Sequence, residues 1–253
     1  MKPFDQTHLI LLMATVAFVA VTMYAASKLS HRGQNVLFAL GAILCAGGIF
    51  FRYAMGASFS FEKLDVQTLG IQMLQVCNFN FLLVLLMLVP KFELARQYSF
   101  MFSMFAAATV MLSFPKSWAS LKWYDTTVLN FWFNHVFAIA LPLWMLAAGR
   151  LKPQKKYILP VSVCVIAYFV IVYGCTEWLL AKGLVTADNT FSYVYDPEGV
   201  GLLESLYKLI PVPCFYLAPL IPAMLGFFWA LTWLFKNYNV QRYGRKFTVK
   251  LDK

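Results

Sequence analysis

Seven long apolar runs dominate the chain, and each is close to the length that a helix needs to cross a bilayer. The hydrocarbon core of a membrane is about 30 Å thick, so a spanning helix needs about 20 apolar residues. The runs lack the alternation of a strand and are too long for barrel strands, so we expect helices. The sequence therefore predicts an all-α bundle forming one membrane domain over residues 1–253, with spans at 8–27, 35–55, 68–90, 97–115, 127–149, 157–181 and 208–235.

The composition agrees with a polytopic membrane protein. Hydrophobic residues make up 61% of the chain, charged residues 13%, and the mean hydropathy is +0.67. A soluble domain of this size would carry about twice that charged fraction. The net charge of +10 does not indicate a nucleic-acid partner, because the basic residues lie in short loops between apolar spans.

The distribution of lysine and arginine predicts the orientation of the bundle. If the N-terminus lies outside, the inner segments hold 14 of the 21 basic residues, the outer segments hold 6, and Arg52 lies inside span two. Cytoplasmic loops are enriched in lysine and arginine. We therefore expect an outer N-terminus and an inner C-terminus, in a multi-pass protein of the bacterial cytoplasmic membrane.

Polar side chains interrupt the third span in the stretch "LQVCNFNF", where Gln75, Asn78 and Asn80 surround Cys77. Each polar group left unsatisfied in hydrocarbon costs several kcal/mol. Cys77 lies nine residues into span three and His135 nine residues into span five. At a rise of 1.5 Å per residue, both would lie about 13 Å below the outer edge. The same outer half holds further candidates for substrate contact: His8, Arg52, Asn130, Asn134, Tyr173 and Glu177.

Several of these residues also have ordinary structural interpretations. Amides in membrane helices often bridge neighbouring helices. For Arg52 and Glu177, anchoring or snorkelling at the membrane interface is favoured over a catalytic role. The other four cysteines are typical small packing residues, and the five cysteines have neither metal-site nor disulfide spacing. His135 is different, because an ionisable group deep in a span is by default a hypothesis of function.

The combination of Cys77 and His135 indicates a thiol chemistry. A thiol becomes a strong nucleophile when a base takes its proton, and histidine is the usual base. The two side chains would have to lie within 3 to 4 Å, a distance that equal depth permits. Such a nucleophile would meet lipid esters more often than water, which favours acyl transfer over hydrolysis. The same site would also suit binding of a ligand without reaction.

Four stretches resemble the YwaF-like integral membrane family, whose eukaryotic branch includes transmembrane protein 164. "FDQTHLI" resembles the opening of the family, and "QMLQVCNF" resembles its signature Leu-Pro-Leu-His-Leu-Cys-Asn in span three. "VMLSFP" and "FWFNHVFAIALP" resemble its Leu-Thr-Pro segment and its histidine-bearing span five. "NTFSYVYDPEGVGLLESLYKLIPVPCFY" resembles its long outer loop.

The resemblance implies a seven-helix fold and, from the eukaryotic branch, a phospholipid acyltransferase that works through the signature cysteine, which is Cys77 here. The sequence departs from the signature at Met73, where proline is usual, and at Gln75, where histidine is usual. If the absent histidine is needed for the reaction, either His135 acts as the base alone or the activity is absent.

The function expected from the sequence is a lipid-directed acyltransferase with Cys77 and His135 as catalytic residues. Two alternatives remain open: a lipid-binding or small-molecule transport protein, and a membrane subunit of a larger complex. The sequence has no phosphate-binding loop, metal cluster or dinucleotide fingerprint, so we expect no cofactor and no metal. The expected partners are membrane lipids; protein partners are not indicated.

Overall fold

A computed structural model of the chain describes residues 4–56, 70–71, 73–112, 120–185, 191–195, 197, 200–235, 238–243 and 246–251, with the side chains of residues 49–56 and of the last two segments excluded. Within these residues, nine α-helices and two strands occur, numbered in chain order. They are α1 (Gln6–Lys28), α2 (His31–Gly56), α3 (Val76–Met87), α4 (Glu93–Tyr98), α5 (Met104–Leu112), α6 (Thr126–Ala147), α7 (Ile158–Ala181), α8 (Gly201–Leu209), α9 (Leu220–Phe235), β1 (Tyr238–Tyr243) and β2 (Lys246–Leu251).

The expected helical membrane architecture is confirmed. Within the described residues, three helices are long and apolar enough to cross a membrane: Gln6–Lys28, Thr126–Ala147 and Lys155–Ala181, the last of which joins a short 3-10 turn to α7. Helices α3 and α9 are apolar but shorter. A π-helical turn, Ser99–Ser103, joins α4 to α5, and the residues at both junctions have helical backbone angles. Residues 93–112 therefore form one continuous helix.

Two of the predicted spans are wrong in length. Span three was expected over 68–90, but residues 73–75 form a turn and the helix begins at Val76. Span seven was expected to begin at 208, but α9 begins at Leu220. Pro211 and Pro213 explain the second difference, because proline lacks the backbone N–H that a continuing helix would need.

The C-terminal tail adds a feature that an all-α description does not include. Strands β1 and β2 form an antiparallel hairpin in which Tyr238 lies opposite Leu251 and Tyr243 lies opposite Lys246. The predicted spans end at residue 235, so the helical prediction did not include this segment.

Helix α6 is the centre of the bundle. In its most apolar stretch of 18 residues, 61% of the residues are buried. The corresponding share is 17% for α1 and 28% for the span that contains α7. Helices α1, α2 and α5 all pack against it. The indole N–H of Trp144 on α6 donates to the hydroxyl of Thr22 on α1 over 2.7 Å, which adds a polar link inside the apolar contact.

Small residues on α2 allow its backbone to approach α6 closely. A Cβ added at Gly48 would lie 1.8 Å from Oδ1 of Asn134, and one at Gly41 would lie 2.8 Å from Leu141. Between them, the buried Cys45 thiol lies 3.7 Å from the Asn134 carbonyl. Such stripes of small residues are typical of tightly packed membrane helices.

The contact predicts the effect of a single methyl group. We expect Gly48→Ala to lower the free energy of unfolding by about 1–3 kcal/mol, because overpacking forces the helices or the Asn134 side chain to shift. Gly47→Ala is the matched control, since a Cβ there would meet no described atom within 4 Å. Thermal unfolding in detergent would compare them; equal melting temperatures would contradict the close approach.

Candidate active site

Cys77 and His135 are brought together from α3 and α6. The Cys77 Sγ lies 3.2 Å from the His135 Nε2, within the range at which a thiol proton can be transferred. Cys77 is half-buried, and His135 is 4% exposed. The thiol is therefore partly accessible, while the neighbouring imidazole is enclosed.

The contact made by the second ring nitrogen of His135 determines which of the two nitrogens carries the proton. Nδ1 lies 2.7 Å from the Phe131 carbonyl oxygen, one turn earlier in α6. A carbonyl oxygen only accepts, so Nδ1 carries the proton and donates it. The lone pair of Nε2 is thereby directed at Cys77. The rings of Phe131 and Phe81 pack against the imidazole, with centroids 4.2 Å and 5.4 Å away, and limit its movement.

Cys77 is the second residue of α3, where the helix N-terminus adds to its chemistry. Backbone N–H groups in the first turn carry a partial positive charge that stabilises a nearby anion. A thiolate on Cys77 would benefit from that field as well as from an imidazolium at His135. The cysteine had been expected within a longer helix, so this contribution was not predicted.

Two residues outside the sequence prediction hold the start of α3. Ser192 accepts a hydrogen bond from the backbone N–H of Val76 over 2.7 Å. The Tyr168 hydroxyl on α7 lies 3.0 Å from the Leu74 carbonyl oxygen. Ser192 does fall inside the "NTFSYVY" stretch of the family resemblance, which was the only sequence signal for it.

The buried amides serve mainly as links between helices. Asn80 on α3 accepts a hydrogen bond from the Tyr98 hydroxyl on α4 over 3.0 Å. On α6, the Asn134 amide donates to Asn130 over 3.3 Å and packs on the backbone of α2 at Gly48. The bridging interpretation therefore describes Asn80 and Asn134, whereas the contact shown for Asn130 lies within α6.

The remaining predicted substrate-contact residues fall into separate places. His8 is fully buried at the start of α1: its Nδ1 accepts from the Phe4 N–H over 2.7 Å, and its Nε2 donates to the Met111 carbonyl over 2.8 Å. Asn78 is buried beside Cys77. Arg52 lies near the end of α2, and its side chain is outside the described part. A single pocket shared by all of them stays a prediction.

Tyr173 and Glu177 form a cluster with the loop that carries Ser192. The Tyr195 hydroxyl donates to the Glu177 carboxylate, and the rings of Tyr173 and Tyr195 stack with centroids 5.6 Å apart. Burial, followed by the bond to Glu177, raises the pKa of the Tyr195 hydroxyl, which keeps it protonated as a donor at neutral pH. This cluster attaches the loop to α7.

The other four cysteines have no comparable surroundings in the described residues. Cys45 is buried against α6, and Cys164 is exposed on the outside of α7. Burial raises the pKa of the Cys214 thiol, which makes that residue a poorer nucleophile. Cys175 is partly exposed on α7. No group of three metal-ligating side chains occurs in the part of the chain that the structure describes.

Comparison with known proteins gives one result. The model of the TMEM164 family matches residues 3–239, which is nearly the whole chain. No curated protein and no solved structure matches. The family match covers every stretch on which the resemblance in the sequence was based, including Cys77 and His135. The chain is a membrane protein that belongs to the TMEM164 family.

Proposed function

We propose that the protein is a thiol-dependent acyltransferase that acts on membrane phospholipids. The observation that carries the proposal is the 3.2 Å contact between the Cys77 Sγ and the His135 Nε2, with the opposite ring nitrogen fixed by the Phe131 carbonyl. A nucleophile, a base within reach and a group that orients the base are the parts that covalent acyl transfer needs.

The first half of the reaction forms an acyl-enzyme. His135 Nε2 takes the thiol proton, and the Cys77 sulfur attacks the ester carbonyl carbon of a phospholipid. The bond between the acyl carbon and the glycerol oxygen then breaks, and a thioester forms on Cys77. The leaving glycerol oxygen takes the proton back from His135 Nε2 and departs as a lysophospholipid hydroxyl.

The second half returns the enzyme to its starting state. The hydroxyl of an acceptor lipid gives its proton to His135 Nε2 while its oxygen attacks the thioester carbonyl. The carbon–sulfur bond breaks, a new ester forms, and the Cys77 sulfur recovers the proton. Two aromatic rings pack against the imidazole of the pair, Phe81 on α3 and Phe131 on α6. This apolar setting favours a lipid acceptor over water.

The departures from the family signature are compatible with this chemistry. The side chain of Gln75 accepts a hydrogen bond from the backbone N–H of Ser192 over 3.2 Å, so the position of the usual histidine has a structural contact here. His135 then acts as the only base. Of the residues expected to contact substrate, we retain Asn78, which adjoins the nucleophile, and the cluster of Tyr173 and Glu177.

We further propose seven spans in a bacterial cytoplasmic membrane, with the N-terminus outside. The excess of lysine and arginine in the segments that would then be inner supports this orientation. A reporter active only in the cytoplasm, fused after Lys253, should be active. Activity only from a reporter that works outside the cytoplasm would overturn the orientation.

Whole-cell lipid mass spectrometry tests the function. We expect deletion of the gene and Cys77→Ala to produce the same change in the acyl chains of phospholipids, while wild type restores the original distribution. A change on deletion that Cys77→Ala fully complements would replace catalysis with lipid binding or a role as a membrane subunit.

A further inference from the structure

The contact between Cys77 and His135 depends on the very first turn of α3. Cys77 follows Val76, the first residue of that helix. First-turn N–H groups have no partner inside a helix, so an uncapped end frays. Gln75 occupies the N-cap position, but its side chain makes no capping hydrogen bond to the helix. The group that fixes the nucleophile must therefore come from elsewhere in the fold.

Ser192 supplies that cap from a loop 116 residues further along the chain. Its Oγ accepts from the Val76 N–H over 2.7 Å and donates to the Leu74 carbonyl over 2.5 Å. Its own backbone N–H donates to the Gln75 side chain over 3.2 Å. Ser192 thus contacts three consecutive residues that lead into Cys77, and it is 1% exposed.

Tyr168 holds the same segment from α7. Its hydroxyl lies 3.0 Å from the Leu74 carbonyl and 3.2 Å from the Met73 carbonyl. Its ring stacks on Phe79, two residues after Cys77, with centroids 4.7 Å apart. The turn before the nucleophile and the turn that contains it are therefore attached to one side chain.

The loop that carries Ser192 is itself held in an uncommon conformation. Ser192 and Tyr193 have φ angles of +54° and +60°, a region that residues other than glycine rarely occupy. The loop is fixed by the bond from Cys214 N to the Val194 carbonyl, 2.5 Å, and by the bond between Tyr195 and Glu177. Such conformations persist where the surroundings determine them, and they cluster at functional sites.

We propose that Ser192, together with Tyr168, is a positioning residue that keeps the Cys77 thiol within proton-transfer distance of His135. Neither residue touches the reacting atoms. The proposal rests on the Cys–His function proposed above, and it adds that a distant loop controls the reactivity of the thiol. Without the cap, the first turn of α3 opens and Sγ moves away from Nε2.

The test measures alkylation of Cys77 by N-ethylmaleimide in the full-length protein in detergent, followed by mass spectrometry at each cysteine. With the base in place, the rate in wild type should vary by less than about threefold between pH 6.5 and 8.5, whereas the rate of an unassisted thiol climbs about tenfold per pH unit in that range. We expect the labelling rate of Ser192→Gly to rise with pH as that of an unassisted thiol does, and to be about tenfold slower than wild type at pH 7. Glycine tolerates a φ of +54°, so this variant removes the hydroxyl without opposing the loop backbone.

Two further variants make the result decisive. Tyr168→Phe keeps the ring stack and removes only the hydroxyl. This variant should also make the labelling rate depend more steeply on pH, with about threefold slower labelling at pH 7. It replaces Ser192→Gly as the test if Ser192→Gly does not fold. Ser162→Ala is the control, because this buried hydroxyl bonds within α7 to the Ile158 carbonyl over 2.8 Å. It should label as wild type does. A wild-type profile in folded Ser192→Gly, or in Tyr168→Phe where only that variant folds, would overturn the proposal.

The readout separates this proposal from the function on which it rests. Labelling requires neither an acyl donor nor turnover, so it reports the position of the thiol even if no acyl transfer occurs. Normal labelling of Ser192→Gly beside loss of lipid remodelling in Cys77→Ala would reject positioning and keep catalysis. Altered labelling of Ser192→Gly, together with unchanged lipids in Cys77→Ala, would keep positioning and reject catalysis.

Discussion

Replacement of Cys77 by serine is expected to lower the rate of acyl transfer by about 10³-fold or more, because an alcohol is a far weaker nucleophile than a thiol beside the same base. The substitution exchanges one atom in a half-buried position, so the fold should be retained. Transfer of a labelled acyl chain between a phospholipid and a lysophospholipid, with the purified protein in vesicles, measures the effect.

The other cysteines provide matched controls for this loss. Cys164 on the outside of α7 and the partly exposed Cys175 on the same helix are also membrane cysteines. Serine at either position should leave the transfer rate within about twofold of wild type, since surface changes away from a site have small effects. A Cys77→Ser protein that transfers at the wild-type rate would remove Cys77 from the mechanism.

Substitution of His135 by alanine should slow transfer by about 10²–10⁴-fold, the usual contribution of a positioned general base. The Cys77 Sγ would remain, but Nε2, 3.2 Å away, would be gone. The remaining activity should rise with pH, because the thiol would then have to ionise unaided. Initial transfer rates at several pH values between 6.5 and 8.5 would measure this.

The other two histidines distinguish a catalytic from a structural role. His31 is exposed and accepts a hydrogen bond from Arg150 over 2.8 Å, so His31→Ala should leave transfer unchanged. His8 joins α1 to the end of α5, so His8→Ala should lower the melting temperature. If His135→Ala resembles His8→Ala, with reduced stability and full activity per folded molecule, the imidazole is structural.

Hydropathy was sufficient to predict the helices whose ends coincide with the ends of an apolar run. Helix α1 was expected at 8–27 and occupies Gln6–Lys28, and α6 was expected at 127–149 and occupies Thr126–Ala147. A long apolar run leaves the backbone no alternative in a membrane, since only a helix satisfies its own polar groups. Local sequence is enough in such cases.

The start of α3 could not be predicted in the same way. Residues 73–75 are compatible with a helix, and nothing near them in the sequence stops one. Their turn is stabilised by Ser192 and Tyr168, which are distant in the chain. The residue at which α3 begins is therefore determined by tertiary contacts and not by the local sequence. The pairing of Cys77 with His135 was anticipated from equal depth, but the depth was counted along a helix from residue 68, and residues 57–69 lie outside the described part.

The group that orients the His135 imidazole also required the structure. Its Nδ1 contacts the Phe131 carbonyl, while the neighbouring Asn130 and Asn134 amides bond to each other. A backbone carbonyl has no sequence signature, which is why this part of the site was missed.

The central claim is that Cys77 carries the acyl group during turnover, and intact-protein mass spectrometry tests it most directly. After incubation with a phospholipid donor and no acceptor, wild type should gain the mass of one acyl chain, located on Cys77 and removed by neutral hydroxylamine as a thioester would be. His135→Ala should gain it far more slowly, and Cys77→Ala should not gain it. Transfer activity without any acyl mass on Cys77, or with the acyl chain on another residue, would contradict the account.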